Sequence, residues 1–210
     1  MVQIQVKQEE EEEQQFLYEC QSTSEINQIT RDVIEIFNLQ TKIQRLVLAL
    51  EPRLLHHIKD LKDAAAMPLM RALSEARSYA SKDQILYKRT LSPLVLRDHI
   101  QTIEREVMVN QLMGFSDPNQ LQELFSDLKP LQEDTIQLWW ARKELLRDRQ
   151  LCDYIGKNEK TKIILRLQSP GSGPEINSSQ FSGDGVEFLS VFCSFFLKDQ
   201  KIDSGNQKQP

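Results

Sequence analysis

QLWWARKELLRDRQLCDYIGKNEKTKIILRL, residues 137–167, is the stretch on which the fold turns. It holds both tryptophans of the chain, Trp139 and Trp140, side by side, and then a dense run of basic, acidic and leucine residues. Pro130 before it and Gly156 near its end are helix boundaries, so the pattern predicts a helix over about 132–153. Adjacent helical positions point roughly 100° apart. A helix carrying Trp139 and Trp140 would therefore place one indole in the core and one at an inter-helix or partner surface. The following segment, 161–168, reads two ways. Ile163, Leu165 and Leu167 alternate as in a strand, and Asn158 could equally cap a short helix.

Upstream, Val2, Ile4 and Val6 alternate with Gln3, Gln5 and Lys7, and Phe16, Tyr18 and Cys20 alternate with Gln15, Leu17 and Glu19. These are two half-buried strands, and the acidic run Glu9–Glu13 between them is the expected solvated hairpin tip. Ser22-x-x-Glu25 has the form of a capping box, followed by Ile26, Ile29, Val33, Ile36 and Phe37 at helical spacing. Strand, strand, helix opens a β-grasp or a related layout, but no third or fourth strand is visible afterwards.

The middle of the chain is helical. Ile43, Leu46, Val47 and Leu50 form one apolar face before Pro52, and Leu54, Leu55, Ile58 and Leu61 form another after it. Pro68 opens a helix carrying Leu69, Met70, Leu73, Ala76 and Tyr79. Ser92-Pro93 opens one carrying Leu96, Ile100, Ile103 and Val107, closed by Gly114. Asp117-Pro118 starts a further helix with Leu121, Leu124, Phe125 and Leu128 on one face. The expected class is α+β and mostly α-helical: an N-terminal β-hairpin plus helix over 1–38, then a helical body over 39–168, forming one domain. Residues 169–210 begin with a Ser/Gly/Pro-rich linker and are expected to be a disordered tail.

Composition narrows the function classes. Formal net charge is −5, which disfavours nucleic acid as a partner. Seven glycines in 210 residues disfavour glycine-rich phosphate loops. Gly156-Lys157 lacks the P-loop pattern, since Leu151 and Asn158 stand where a glycine and a hydroxyl residue belong. Cys20, Cys152 and Cys193 are widely spaced, and His56 and His57 are adjacent, so neither a disulfide framework nor a metal set is expected. No apolar run is long enough for a membrane span, and the N-terminal residues do not form a signal peptide, so a reducing intracellular location is expected. With no nucleophile–base pair, cofactor loop or metal set, the chain is expected not to be an enzyme.

One region is strongly basic in this acidic chain: Arg142, Lys143, Arg147 and Arg149, then Lys157, Lys160, Lys162 and Arg166. The plain reading is a solvated helix face with local ion pairs, Glu144 with Arg147 and Glu159 with Lys162. The functional reading is a docking surface in which the indoles anchor and the basic residues steer an acidic partner. The candidate interface is Trp139, Trp140, Arg142, Lys143, Tyr154, Lys157, Lys160 and Lys162.

Residues 137–145, QLWWARKEL, followed by DYIGKNEKTKII at 153–164, resemble the signature of the cilia- and flagella-associated protein family called Kurly in fish. Lys42-Ile43-Gln44-Arg45-Leu46 and the segment from Met67 through Leu112 resemble the family more weakly, and residues 181–210 do not resemble it. The chain also looks shorter than the family around Leu50–Met67. The resemblance implies a non-enzymatic factor of motile cilia, acting in cytoplasmic preassembly of axonemal dynein arms and in the planar orientation of cilia. Its implied partners are proteins of the dynein-arm assembly machinery. Its implied location is the cytoplasm, with a cilium or basal-body pool. The alternative is a structural component of the axoneme bound to microtubules, whose acidic tubulin tails would suit the basic cluster.

Overall fold

The computed structural model of the chain describes residues 1–8, 15–61, 66–110, 123–126 and 128–168, with side chains of the first long helix described as far as Leu55. The acidic run Glu9–Glu13, the Gly114 stop, the Asp117-Pro118 helix start, the side chains of His56 and His57, and the whole of 169–210 lie outside the described residues.

The alternating N-terminal segments form β1 (Val2–Gln8) and β2 (Gln15–Cys20), paired antiparallel from Val2↔Cys20 to Lys7↔Gln15. Val2, Ile4, Val6, Phe16, Tyr18 and Cys20 are buried on one face, as period-two alternation requires. Helix α1 (Ile26–Leu61) follows. After it come α2 (Ala66–Ala80), α3 (Asp83–Leu86) and α4 (Pro93–Asn110). Helix accounts for 54% and strand for 20% of the described residues, so the chain is α+β and mostly helical, as expected.

The expected helix over 132–153 does not form. A 3-10 turn at Glu133–Thr135 leads into strand β3 (Gln137–Trp140), a two-residue turn and strand β4 (Lys143–Glu144). A short helix α5 (Cys152–Ile155) then precedes strand β5 (Lys162–Gln168), which resolves the ambiguous 161–168 segment as strand. β5 pairs parallel with β1 from Gln3↔Lys162 to Gln8↔Leu167, and antiparallel with β3 through Trp139↔Arg166. The sheet order is β2-β1-β5-β3-β4. The strands that sequence reading leaves out thus complete the β-grasp opened by the hairpin and α1. The reason is tertiary: Ile136, Leu138 and Leu145 are buried against the sheet's core, and this burial outweighs the helix-forming Arg, Lys and Glu between them.

The remaining helices are an excursion between α1 and β3. α1 is roughly 54 Å long at about 1.5 Å per residue, enough to serve both parts. Its first half faces the sheet: Ile26, Ile29, Val33 and Ile36 are fully buried, and Tyr18 of β2 donates a 2.6 Å hydrogen bond to Asp32. Its second half packs on α2 and α4 through Ile43, Leu46 and Leu50. Gln40 donates to the Ala80 carbonyl, while Lys42–Glu104, Glu35–Arg97 and Glu51–Arg77 pair the helices at their rims. The expected break at Pro52 is absent. Pro52 is exposed between buried Leu50 and Leu54, so the Leu48 carbonyl that loses its partner lies on the water side of the helix. Ser92-Pro93 opens α4 as expected, the Leu96 amide donating to the Ser92 carbonyl, and its Leu96, Ile100, Ile103 and Val107 stripe is buried.

The capping box does not form either. Glu25 precedes the helix and its carbonyl accepts the Ile29 amide; the Ile26 amide donates to the Arg149 carbonyl, 2.9 Å away. Ser22 is used elsewhere. At the free edge of the sheet, α3 runs beside β2. Gln84 accepts the Leu17 amide and the Leu91 amide donates to the Leu17 carbonyl, closing an edge that would otherwise template pairing.

Because β5 is central and Leu165 within it is fully buried, Leu165→Ala should cost about 2–5 kcal/mol. Ile164→Ala, one residue away on the opposite face and partly exposed, should cost only about 1 kcal/mol. Denaturant titration of the two variants measures the difference. Equal losses would mean the strand's faces are assigned wrongly.

Candidate functional site: the tryptophan hairpin and the basic loop

The tryptophans lie on a strand, so they point to opposite faces of the sheet. Trp140 packs against the core beside Leu138. Trp139 lies on the other face, between Arg166 of β5 and Glu144 of β4 in register, and is half-buried. Its indole Nε1 is shielded from water and has no hydrogen-bond partner, which is uncommon for a buried donor. The two indoles face opposite sides through strand alternation instead of helical rotation, but both are half-buried, and the expected split into one buried and one surface indole is not seen.

Ala141 and Arg142 form the two-residue turn between β3 and β4, with φ of 46° and 66°. Two positive φ values in a two-residue hairpin loop are the type I′ turn, which favours Asn-Gly. Neither residue here is glycine, so each adopts a conformation costing roughly 1–2 kcal/mol. Arg142 and Lys143 are exposed at this strained tip. β3 runs antiparallel to β5, so the tip lies toward the end of the sheet where Lys162 starts β5.

The second half of the candidate set belongs to a braced loop. Leu151 and Cys152 amides donate to the Ser24 and Ser22 carbonyls, fixing α5 on the turn before α1. Gly156 stops α5 with φ +79°; a Cβ there would meet open space, so the positive φ alone calls for glycine. Asn158 organises the next turn, its side chain accepting the Lys160 amide and its carbonyl accepting the Thr161 hydroxyl. Glu159 reaches across the chain. One of its oxygens accepts the Ser22 amide at 2.8 Å and the Ser22 hydroxyl at 2.6 Å, and the other pairs with the Met1 ammonium at 3.5 Å. The Gln3 amide donates to the Thr161 carbonyl, and β5 begins beside β1. These bonds hold the Glu159 carboxyl below its ordinary value, the hydrogen bonds from Ser22 first and the Met1 ammonium after them. By contrast, burial pushes the Cys20 thiol up to about 11.

The GKNEKTK segment is therefore a clasp, with Lys157 and Lys160 exposed on its outside and Lys162 exposed at the start of β5. Tyr154 is half-buried, and its hydroxyl accepts the Leu146 amide at 2.8 Å, bracing the loop after β4. The helix face expected to carry the local ion pairs does not form. Arg147 donates to the Glu133 and Ile136 carbonyls, Glu144 stands opposite Trp139, and Glu159 serves Ser22. Ser22 and Glu159 are the bracing pair that the sequence reading misses. They are 137 residues apart, and the Ser-x-x-Glu spacing at 22–25 offers a local explanation for the serine. Among the described residues, no group of three or more His, Cys, Asp or Glu could hold a metal ion, and no helix is long and apolar enough to cross a membrane.

Fold and site together define an α+β protein: a five-stranded β-grasp sheet with inserted helices and a clasped basic loop. Residues 136–190 match the family model of cilia- and flagella-associated protein 298, a span that contains the tryptophan hairpin, the clasp and β5 and passes beyond Phe181. The chain is 28% identical over 240 residues to cilia- and flagella-associated protein 298 of Danio rerio, covering 88% of this chain and 82% of that one. It is 26% identical over 217 residues to the Rattus norvegicus protein of that name (77% and 75% covered) and 23% identical over 229 residues to the Drosophila melanogaster one (83% and 78% covered). No solved structure matches. Over the tryptophan and GKNEKTK segments the chain matches the family model, and over most of its length it is similar to cilia- and flagella-associated protein 298, the resemblance that these signatures lead one to expect.

The clasp makes a pH prediction. A carboxyl whose folded pKa is depressed contributes stability that is fully present above its ordinary value, 4.5, and is lost as pH falls through the folded pKa. Glu159→Gln should lower the melting temperature at neutral pH and flatten the fall in stability below about pH 4.5 relative to the parent chain. Parallel melts from neutral to acid pH test this; identical acid limbs would remove Glu159 from the account.

Proposed function

We propose that the chain is a non-enzymatic protein-interaction factor of motile cilia, acting in cytoplasmic preassembly of axonemal dynein arms and in cilium orientation. The observation that carries this reading is the family signature and where it sits. The Trp-Trp-Ala-Arg hairpin presents a basic tip in a strained turn, and the GKNEKTK clasp holds that end of the sheet together. Strain of this kind in a turn with a ready glycine alternative fits a residue kept for contact rather than for folding. The basic tip and clasp lysines favour an acidic protein surface as partner, with the cytoplasm as the place of action and a cilium or basal-body pool.

Rescue tests the proposal. Expressed in ciliated cells lacking the endogenous relative, this chain should restore dynein-arm proteins along the axoneme and should fractionate with the detergent-soluble cytoplasm. Recovery in the salt-resistant axonemal pellet would favour a microtubule-bound structural role instead. Arg142→Gly separates contact from folding, because it relieves a positive φ while removing the guanidinium. The variant should gain about 0.5–1 kcal/mol in stability yet lose rescue. A stabilised variant that rescues fully would take Arg142 out of the interface.

A further inference from the structure

Residues 81–91 form the corner that closes the β2 edge of the sheet, and its backbone is tied down throughout. The Gln84 amide donates to the Ser81 carbonyl, the Tyr87 amide to Asp83, the Lys88 amide to Ile85 and the Arg89 amide to the Gln84 carbonyl, while the Leu91 amide reaches Leu17 of β2. Gln84 is the residue turned inward and is buried. On this fixed backbone Leu86 and Tyr87 stand side by side at 78% and 70% exposure, Leu86 being the most exposed large apolar residue among those described. Single apolar side chains on a surface need no explanation, but two adjacent ones on a rigid turn leave an apolar knob that the fold does not use. Cations ring the knob. Lys82, Lys88 and Arg89 are exposed, no carboxylate among the described residues pairs with them, and the Arg89 guanidinium lies 5.7 Å from the centre of the Tyr87 ring. Lys88 has φ of 53°, the left-handed cap where glycine is the usual choice, so a lysine stands there at a cost of roughly 1 kcal/mol. Beside Tyr87 a cavity of about 380 Å³ opens, lined from α2 by Arg77 and Ser78 and from the corner by Asp83, Tyr87 and Arg89. Glu51 already holds Arg77 through Nη1, and Asp83 is the one acid of the corner.

We propose that this corner docks an acidic segment of a partner protein, with an apolar side chain against Leu86 and Tyr87 and carboxylates at Lys82, Lys88 and Arg89. The proposal rests on the reading of the chain as a protein-interaction factor and gives it a second surface at the β2 edge, while the hairpin tip stands by β4 at the other. Strands spaced about 4.8 Å apart put the two edges roughly 19 Å from each other, so occupation of one leaves the other open. Charge complementarity selects the occupant. Three unpaired cations against one aspartate attract carboxylates and repel a basic segment. A tyrosine and an arginine stacked on a rigid turn make a good anchor, because little freedom is left to lose on docking. Asp83 in the corner, Glu75 on α2 and the acidic chain oppose a polynucleotide, whose phosphates demand an uninterrupted basic track.

The test uses the full chain, nitrogen-15 labelled, titrated with a capped synthetic peptide of Glu and Leu in helical repeat. The same peptide with Lys for Glu and a single-stranded oligothymidylate are the comparison probes. The acidic peptide should move the amides of Lys82 and of Leu86 through Arg89, and should bind more weakly as salt is raised. Leu86→Ser/Tyr87→Ser should weaken its binding about tenfold at an unchanged melting temperature, since both side chains are largely in water. Lys88→Gly should also weaken binding while raising the melting temperature, because glycine suits the positive φ and carries no ammonium. Absence of shifts at the corner, shifts confined to other surfaces, or equal binding of the basic peptide or the oligonucleotide would overturn the proposal. In the rescue assay, a Leu86→Ser/Tyr87→Ser variant that restores dynein arms as well as the parent chain would reject the corner and leave the cilium function standing. Failure of the parent chain to rescue would reject that function, and the titration would still decide the corner.

Discussion

The parallel pairing of β1 with β5 is the contact on which the rest depends. It joins residues 2–8 to residues 162–168, the most distant described parts of the chain, at the middle of the sheet. The other strands build outward from these two: β2 on β1, β3 on β5, and β4 on β3. A parallel pair needs a crossover, and here the crossover is the whole helical excursion plus the β3–β4 hairpin. Loop closure grows only as the logarithm of length, so inserting several helices into that crossover adds little to the entropy of closing it. The excursion is tolerated because α1 is long enough to pack on the sheet with one half and on α2 and α4 with the other.

The clasp follows from that pairing. A parallel junction between chain segments so far apart needs something to set its register, and a slip of one residue would turn Ile163, Leu165 and Leu167 out to water. Glu159, three residues before β5, binds the Ser22 amide and hydroxyl two residues after β2, and the Gln3–Thr161 bond locks the first rung. The residues of the GKNEKTK segment therefore divide by role. Gly156, Asn158 and Glu159 shape and fasten the loop, while the Lys157 and Lys160 side chains are exposed on its outside.

What could be read in the sequence was what rests on local periodicity. β1 and β2 alternate cleanly, and the Leu96–Val107 stripe behind Ser92-Pro93 needs no partner to be recognised. What misled was a segment whose local preference opposes its tertiary setting. Arg, Lys, Glu and Leu at 142–149 favour helix, but the apolar residues that decide are Ile136, Leu138 and Leu145, which alternate over a stretch too short to show a period. Pro52 misled in the other direction: its cost is paid where water can reach the freed carbonyl. Ser22 shows a third limit, since Ser-x-x-Glu is satisfied in sequence while its hydroxyl belongs to a residue 137 positions away. For the candidate site, that Trp139 and Trp140 point different ways was legible because any regular backbone separates neighbouring side chains. The bracing role of Tyr154 was not, because its partner is a backbone amide of an irregular loop.

The distribution of burial then constrains where a partner can act. Helices take one face of the sheet, α3 closes the β2 edge, and the clasp occupies the loops at the start of β5. Along β5 the residues turned outward are Lys162, Ile164, Arg166 and the buried Gln168, and along β3 they are Gln137 and Trp139. Strand alternation forces this set: once Ile163, Leu165 and Leu167 are committed to the core, their neighbours must face away from it. The basic character of the outer face is thus fixed to the same strand that organises the fold. A change on the inner side acts on the core, a change on the outer side leaves the core in place, and the two are one residue apart.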